Sequence, residues 1–193
     1  MNDSVFTDIP LQHESMLEET RKLSFSMASD LQTGSLLRTL IASKRAANIL
    51  ELGTGSGLAT SWILSGMDTD SKLLTIDNNV QLLDIAKRLL PDNRIKFILE
   101  DGYKWLTSYE GNKFDFIFAD AMPGKYDLFE DAWYLLNDNG IYFIDDMLLQ
   151  PNWPEGHSIK VAAFIDKLEK REDAVLTKLN WSTGIVIVTK RKL

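Results

Sequence analysis

The residue types best suited to chemistry in this chain lie in residues 48–57, a short apolar run that ends in an acidic, glycine-rich turn. The run predicts a buried strand ending at Leu52, and a helix is expected to begin near Leu58. Glycine lets the backbone bend tightly and lets a ligand approach without a Cβ in the way, and the amides at the next helix N-terminus favour an anionic or polar group. The turn therefore predicts a loop for a nucleotide-type cofactor. Its candidate binding residues are Glu51, Gly53, Thr54, Gly55 and Ser56.

Polar residues also follow the next two predicted strands, and ligands of open α/β sheets bind at the carboxyl ends of strands. Asp77 and Asn78 end the second strand. A carboxylate there can accept both hydroxyls of a ribose, and the alternative is an N-cap of the next helix. Asp101 and Gly102 end the third strand. There an acid or the adjacent amide would meet an adenine amino group, and capping is again the alternative.

Three carboxylates follow the fourth and fifth predicted strands. Asp120 comes directly after the apolar run 114–119, Asp145 ends the run 141–145, and Asp146 follows it. Because the carboxyl ends of parallel strands meet at one edge of a sheet, we expect these three side chains to converge beside the cofactor.

The elements that must position these residues alternate between short apolar runs and helical patterns, which is typical of a parallel α/β sheet. The last two predicted strands are close enough for an antiparallel hairpin. The predicted fold class is α/β: a Rossmann-like sheet of seven strands, mostly parallel, with an antiparallel C-terminal hairpin and helices on both faces. The predicted strands are 48–52, 72–77, 95–99, 114–119, 141–145, 174–179 and 185–189. The predicted helices are 11–26, 33–44, 58–66, 79–90, 102–109, 126–137 and 158–171.

Composition narrows the class of protein. The chain has 193 residues, a formal net charge of -7 and no cysteine. An acidic chain with scattered basic residues argues against nucleic-acid binding, and the lack of cysteine excludes disulfides and a cysteine-based zinc site. No apolar run approaches the roughly 20 residues of a membrane span, and the N-terminal sequence does not resemble a signal peptide. We expect one cytoplasmic domain over 1–193, with an N-terminal helical lid or dimerisation segment (1–45) before a catalytic core (46–193).

These residues together resemble a known family. Glu51 stands two residues before the first glycine, Gly53. This arrangement is similar to motif I of the class I S-adenosylmethionine (SAM)-dependent methyltransferases. From about Met27 to the C-terminus the chain resembles the catechol and caffeoyl-CoA type O-methyltransferases. The resemblance implies that Met27 belongs to a segment covering SAM, that residues 51–57 and Asp77 bind SAM, and that dimers are common. It also implies a Mg²⁺ or Ca²⁺ site formed by Asp120, Asp145 and Asp146, with Asp120 also close to the cofactor.

Two positions depart from the family pattern. Asp146 stands where the family has Asn, which would add a negative charge to the cation site. Pro123 stands where the family has its catalytic Lys. Lys125 follows two residues later, and the Pro-Gly turn before it could fold it into the site or leave it on the surface. His157, at the end of the irregular segment 148–157, is the second candidate for a catalytic base, and Trp153 in that segment could stack on an aromatic substrate.

The predicted function is SAM-dependent methyl transfer to an oxygen of a small hydroxylated acceptor, with aromatic acceptors included and a divalent cation assisting. Three alternatives stay open at this point: a metal-independent methyltransferase, an aminopropyltransferase, and a catalytically idle SAM-binding protein. A nicotinamide dehydrogenase is disfavoured because Leu58 occupies the place of the third glycine in the dinucleotide fingerprint.

Overall fold

The computed structural model describes residues 2–6, 8–151 and 153–192. The strands are β1 (Asn48–Leu52), β2 (Lys72–Asp77), β3 (Ile95–Leu99), β4 (Phe114–Ala119), β5 (Leu136–Ile144), β6 (Ala174–Leu179) and β7 (Ile185–Lys190). The helices are α1 (His13–Lys22), α2 (Leu31–Ala42), α3 (Leu58–Gly66), α4 (Val80–Leu89), α5 (Gly102–Ser108), α6 (Phe129–Tyr134) and α7 (His157–Glu169).

All seven strands form one sheet in the order β3-β2-β1-β4-β5-β7-β6. The first five strands are parallel, and β7 runs antiparallel between β5 and β6. The predicted fold class is confirmed. The chain leaves β1 toward β2 and β3 and then returns to place β4 on the other side of β1, so the order reverses between β1 and β4. Ligands of doubly wound sheets bind at such a switch point.

The central strands are inaccessible because helices cover both faces of the sheet. Four of the five residues of β1 and five of the six residues of β4 are buried. One face packs against α5, α6 and α7 through residues that include Trp105, Trp133 and Phe164. The other packs against α1, α2 and α3 through Met16, Leu37 and Ile63. Parallel strands buried on both sides are expected to be continuously apolar, as these are.

One predicted boundary is wrong. The helix expected over 126–137 is only α6, and β5 begins at Leu136, well before the predicted residue 141. Asn139 adopts a left-handed backbone with φ of 63°. Asn139 and Gly140, predicted to end the helix, lie inside β5 instead. The strand can accommodate them because its register against β4 shifts between Phe114 and Phe116.

The N-terminal helices pack directly onto the core. Met16 of α1 and both Leu37 and Ile41 of α2 are fully buried. The division of the chain into a lid (1–45) and a core (46–193) stays a prediction. Among the described residues no helix is long and apolar enough to cross a membrane.

The contact between α2 and α3 generates a test of the packing. A Cβ on Gly34 would lie 2.3 Å from Cδ1 of Trp62, whose side chain is 1% exposed. In a helix, alanine is normally favoured over glycine by about 1 kcal/mol. Here we expect Gly34→Ala to lower the free energy of unfolding by about 1–3 kcal/mol because of overpacking, measured by chemical denaturation. The control Thr39→Ala, on the exposed side of the same helix, should change it by less than about 0.5 kcal/mol. Equal effects would contradict the packing.

Candidate active site

Two adjoining cavities open at the carboxyl ends of the parallel strands. The large cavity has a volume of about 620 Å³ and extends from residues 25–29 past the glycine turn to Asp145 and His157. The small cavity, about 320 Å³, lies against the ends of β2 and β3. Gly53, Asp77, Asn78, Ala121 and Met122 line both. A further cavity of about 670 Å³ lies at the opposite edge, where the strands begin. The two at the switch point are the candidate site, because ligands of such sheets bind there.

The glycine turn is shaped by close contact with the end of β4. Gly53 has φ of +99°, and a Cβ there would lie 2.8 Å from the backbone oxygen of Asp120. The amides of Gly53 and Thr54 both donate to the carbonyl of Ile76, at 3.0 and 3.1 Å. The turn is therefore held between β2 and β4, and only glycine fits its first position.

The side chains of Thr54 and Ser56 anchor the turn to the protein interior through hydrogen bonds. The Thr54 and Thr75 hydroxyls are 2.6 Å apart, and the Ser56 hydroxyl accepts from Thr20 of α1 at 2.6 Å. Both residues are buried but border the large cavity. Their side chains are occupied inside the protein, so what they can offer a ligand is backbone.

Asp77 is oriented by two backbone amides. Its carboxylate accepts from Gly55 N and from Asn79 N, each at 2.7 Å. Two carboxylate oxygens offer about four acceptor positions, so acceptor capacity remains for ligand hydroxyls. Asn79, and not Asp77, caps α4 with its side chain. Asn78 is exposed at the junction of the two cavities.

Glu51 is placed differently from the expectation that its side chain binds the cofactor. It is fully buried beneath the turn, where Oε2 accepts from Thr60 at 2.6 Å and from Thr75 at 2.5 Å. Burial raises its pKa to about 8, against the opposing effect of the two hydroxyls. Side chains alternate between the two faces of a sheet along each strand. At Glu51 this alternation directs the side chain to the face that α3 covers, so it does not point into the cavity.

Asp101 and Gly102 border the small cavity, as expected for an adenine pocket. The Asp101 carboxylate also caps α5, accepting from Tyr103 N at 2.9 Å and Lys104 N at 3.2 Å. A Cβ on Gly102 would lie 2.7 Å from Cγ of Pro123. Asp101 therefore both caps α5 and lines the small cavity. Because Gly102 has no Cβ, the turn at Pro123 can pack closely against it at the edge of the cavity.

The three predicted carboxylates, Asp120, Asp145 and Asp146, all line the large cavity. The Thr183 hydroxyl and the Asp146 amide both donate to Asp145 Oδ1. Ser29 donates to Asp120 Oδ2 at 3.3 Å. Burial raises the pKa of Asp145 to about 6 and raises that of Asp120 well above its usual value, and the neighbouring carboxylates add to both effects.

Lys125 is folded into this acidic end of the cavity. The residue is only 4% exposed, and its Nζ lies 3.7 Å from Asp120 Oδ1. Its positive charge opposes the rise in pKa of both Asp120 and Asp145. The Pro-Gly turn therefore folds Lys125 into the site and does not leave it on the surface.

The divalent-cation site expected from the resemblance is not supported. Within residues 2–6, 8–151 and 153–192, no three or more His, Cys, Asp or Glu side chains are grouped closely enough to hold a metal ion. Mg²⁺ and Ca²⁺ require about six or more oxygen ligands within about 2.0–2.6 Å. Here an ammonium group stands beside Asp120 and protein donors occupy Asp145. The residues present do not fit the ion.

Aromatic rings line the large cavity close to its acidic end. His157 lies between Trp153, with ring centroids 4.5 Å apart, and Tyr126, at 5.0 Å. Burial lowers the pKa of His157, as do the charges of Lys125 and Lys160, while Asp146 opposes them. A neutral imidazole at neutral pH follows from this environment.

Several residues of the site were not predicted. Ser29 comes two residues after Met27, which is exposed at the cavity mouth, so the same segment could have indicated it. Thr183 lies in the loop between β6 and β7, and no local pattern connects that loop to the acidic strand ends. Tyr126 immediately follows Lys125 but carries no motif of its own.

Comparison with known proteins gives a consistent result. A family model described as O-methyltransferase matches residues 5–191. A Mycobacterium leprae protein named provisionally as an O-methyltransferase is 30% identical over 131 residues, which cover 63% of this chain and 58% of that protein. The chain thus matches less than two thirds of the length of that curated relative.

Two solved structures share the fold. The O-methyltransferase TomG of Streptomyces achromogenes, involved in tomaymycin synthesis and solved with SAM, has a TM-score of 0.84 at 22% identity over 98% of this chain and 92% of its own. The Bacillus cereus O-methyltransferase, solved with S-adenosylhomocysteine (SAH), has a TM-score of 0.83 at 19% identity, covering 97% and 93%. At these identities the similarity shows the fold.

The buried carboxyl of Glu51 predicts a pH dependence of stability. Its pKa in the folded protein is about 8, above the ordinary 4.5. Between these values the unfolded chain releases a proton that the folded protein keeps, so this group makes the free energy of unfolding fall as pH rises. The slope is at most about 1.4 kcal/mol per pH unit.

Glu51→Gln removes that titration. Measured by urea denaturation between about pH 5 and pH 8, the difference in stability between wild type and variant should shift steadily toward the variant as pH rises. The control Glu110→Gln, at an exposed position, should run parallel to wild type. Parallel curves for Glu51→Gln would contradict a raised pKa.

Proposed function

This chain belongs to the O-methyltransferase family, and we propose that it is a SAM-dependent O-methyltransferase acting on a small hydroxylated acceptor. One observation carries the proposal. Two adjoining cavities at the switch point of the sheet share Gly53 and Asp77, and the larger continues to a chamber that is lined by carboxylates and by aromatic rings. That is a bipartite site, with room for a nucleoside-bearing cofactor and a second substrate.

The cofactor half fits adenosine and methionine groups. The small cavity, bordered by Asp101 and Gly102, would hold the adenine, and Asp77 would accept the ribose hydroxyls. The glycine turn would lie along the methionine part, where its backbone can be approached closely. Met27 would cover this half from the cavity mouth. The candidate cofactor contacts are Met27, Gly53, Thr54, Gly55, Ser56, Asp77, Asn78, Asp101, Gly102 and Asp120.

The acceptor half favours a flat, hydroxylated molecule. Trp153, Tyr126 and His157 present ring surfaces to the chamber, and aromatic rings pack on one another at such distances. The same chamber is lined by Lys125 and the carboxylates, which would receive hydroxyl groups. We therefore assign aromatic acceptors as the first class to test.

The chemistry needs a base on the acceptor side. When bound, SAM supplies the methyl group: the acceptor oxygen bonds to it, the C–S bond breaks with its electron pair left on sulfur, and the acceptor proton must leave the oxygen. His157 is placed in the chamber as a neutral imidazole and can take that proton. Lys125, the other candidate, is paired with Asp120 at 3.7 Å, and we assign the proton transfer to His157.

No step of the proposal passes through a divalent cation, because the residues at the acidic end do not fit one. A homodimer and a cytoplasmic location stay predictions from the resemblance and the composition. Light scattering of the purified protein measures the first.

Cofactor binding is the first test. Calorimetric titration of SAM should show saturable binding, and Asp77→Asn should weaken it about tenfold to a hundredfold because a charge-assisted hydrogen bond is weakened. The control Asp84→Asn, exposed on α4, should bind as wild type does. Wild type without saturable SAM binding would overturn the proposed function.

The role of His157 is tested by turnover. With an acceptor found in a panel of hydroxylated aromatic compounds, His157→Gln should reduce kcat about 10²–10⁴-fold and leave the Kd for SAM unchanged. Wild-type activity should fall at acid pH, below the lowered pKa of His157. The pH–activity profile of the variant should lack this decrease. Ser158→Ala, exposed on the same helix, is the control. SAM binding with no turnover across the panel would favour the idle SAM-binding alternative.

A further inference from the structure

The acidic end of the large cavity already contains a cation, the side chain of Lys125. Its Nζ lies 3.7 Å from Asp120 Oδ1, and its side chain is 5% exposed. A lysine buried to this extent is rare unless it is paired. The facing groups from the packed elements are Asp120 after β4, Asp145 and Asp146 after β5, and His157 of α7. Carboxylates thus outnumber the other charges around the ammonium group.

The turn that delivers Lys125 is fixed by the fold. Gly124, with φ of +86°, would place a Cβ 2.3 Å from a methyl carbon of Leu52. Its amide donates to Asp127 O at 2.7 Å, and its carbonyl accepts from the buried hydroxyl of Tyr142 at 2.5 Å. The Lys125 amide donates to Met122 O at 3.3 Å. The backbone on either side is therefore anchored to the core, and the lysine enters the cavity from a fixed base.

We propose that the Lys125 ammonium is the resident cation of this site and takes the place of a divalent metal ion. A metal ion in the same space would meet a positive charge at close range in a low-dielectric cavity, where like charges repel strongly. It would also compete for Asp145 Oδ1 with the Thr183 hydroxyl and the Asp146 amide, which both donate to that oxygen. Lys125 pairs with Asp120 and leaves those hydrogen bonds in place.

The same group has a use in the reaction, and this second part rests on the proposed function. An ammonium has three N–H donors, and at 3.7 Å the contact with Asp120 is an ion pair that is too long for a hydrogen bond. The N–H groups can hold the acceptor oxygen while negative charge develops on it as its proton leaves. A preorganised donor of this kind acts most strongly where water is excluded. Lys125 would then be a catalytic residue by electrostatics, with His157 taking the proton.

Cation binding to the intact protein is the direct test. MgCl₂, CaCl₂ and MnCl₂ are titrated calorimetrically into wild type with and without SAH. The expected result is no saturable binding, together with turnover that is the same in EDTA and in Mg²⁺. Saturable binding that Asp120→Asn removes, or turnover that EDTA abolishes and Mg²⁺ restores, would overturn the proposal.

Variants of Lys125 test whether removal of its positive charge allows a divalent cation to bind. Lys125→Met leaves the carboxylates without their cation, so Mn²⁺ should raise its melting temperature but not that of wild type or of the exposed control Lys170→Met. Its kcat should fall about 10²–10³-fold, since one oxyanion donor is lost. Lys125→Arg keeps the charge and should show no response to Mn²⁺. An equal Mn²⁺ response in Lys125→Met and wild type would contradict the proposal.

The two proposals fail separately. If SAM does not bind, the proposed function is lost, while the cation titration and the Mn²⁺ response still report on Lys125. If Lys125→Met does not fold, the wild-type titration and Lys125→Arg decide. A wild type that binds SAM and also a divalent cation at Asp120 would retain the function and reject the resident ammonium.

Discussion

The site depends on how closely two parallel strands approach where the chain reverses its order in the sheet. The Asp120 amide donates to Leu52 O at 3.0 Å, and the Asp120 carbonyl stands where a side chain on Gly53 would be. A residue with a Cβ would push β1 and β4 apart at their carboxyl ends. Because Gly53 has none, Asp120 enters the cavity on one side of the turn and Asp77, bonded to the Gly55 amide, on the other. The positions of both carboxylates follow from this one contact.

The cost of placing carboxylates so deeply is offset within the fold. Removing an ionised group from water is unfavourable by several kcal/mol unless it is paired and hydrogen-bonded. Asp145 accepts hydrogen bonds from Thr183 and from the neighbouring Asp146 amide, and Asp120 accepts one from Ser29 and forms an ion pair with Lys125. Thr183 and Ser29 come from distant parts of the sequence. The acidic end is therefore stable only when the β6–β7 loop, the 122–127 turn and the segment after Met27 are all in place.

Features that depend on local sequence could be predicted, whereas features that depend on contacts between distant residues could not. The glycine turn and the strands other than β5 carry local signals, the need for positive φ and the apolar period, and their predicted positions agree with the structure. Glu51 was expected to contact the cofactor because the motif contains it, but the alternation of side chains along β1 points it into the protein. Asn139 and Gly140 carry a helix-ending pattern, yet pairing with β4 placed them in β5. The burial of Lys125 depends on Tyr142 and Leu52 contacting the turn, and neither contact has a signature in sequence.

The two halves of the site therefore differ in what specifies them. The proposed cofactor half is formed at the strand ends by the backbone of the glycine turn and by side chains that the turn orients, such as Asp77. The acceptor half joins α7, the segment before it and the 122–127 turn through ring contacts, among them Tyr126 with His157 and with Phe164 at 5.6 Å. Changes in those rings alter the shape of the chamber but leave Gly53 and Asp77 unmoved. The choice of acceptor can thus change within this fold while the cofactor half stays constant, and the resident lysine removes the further need to bind a metal ion.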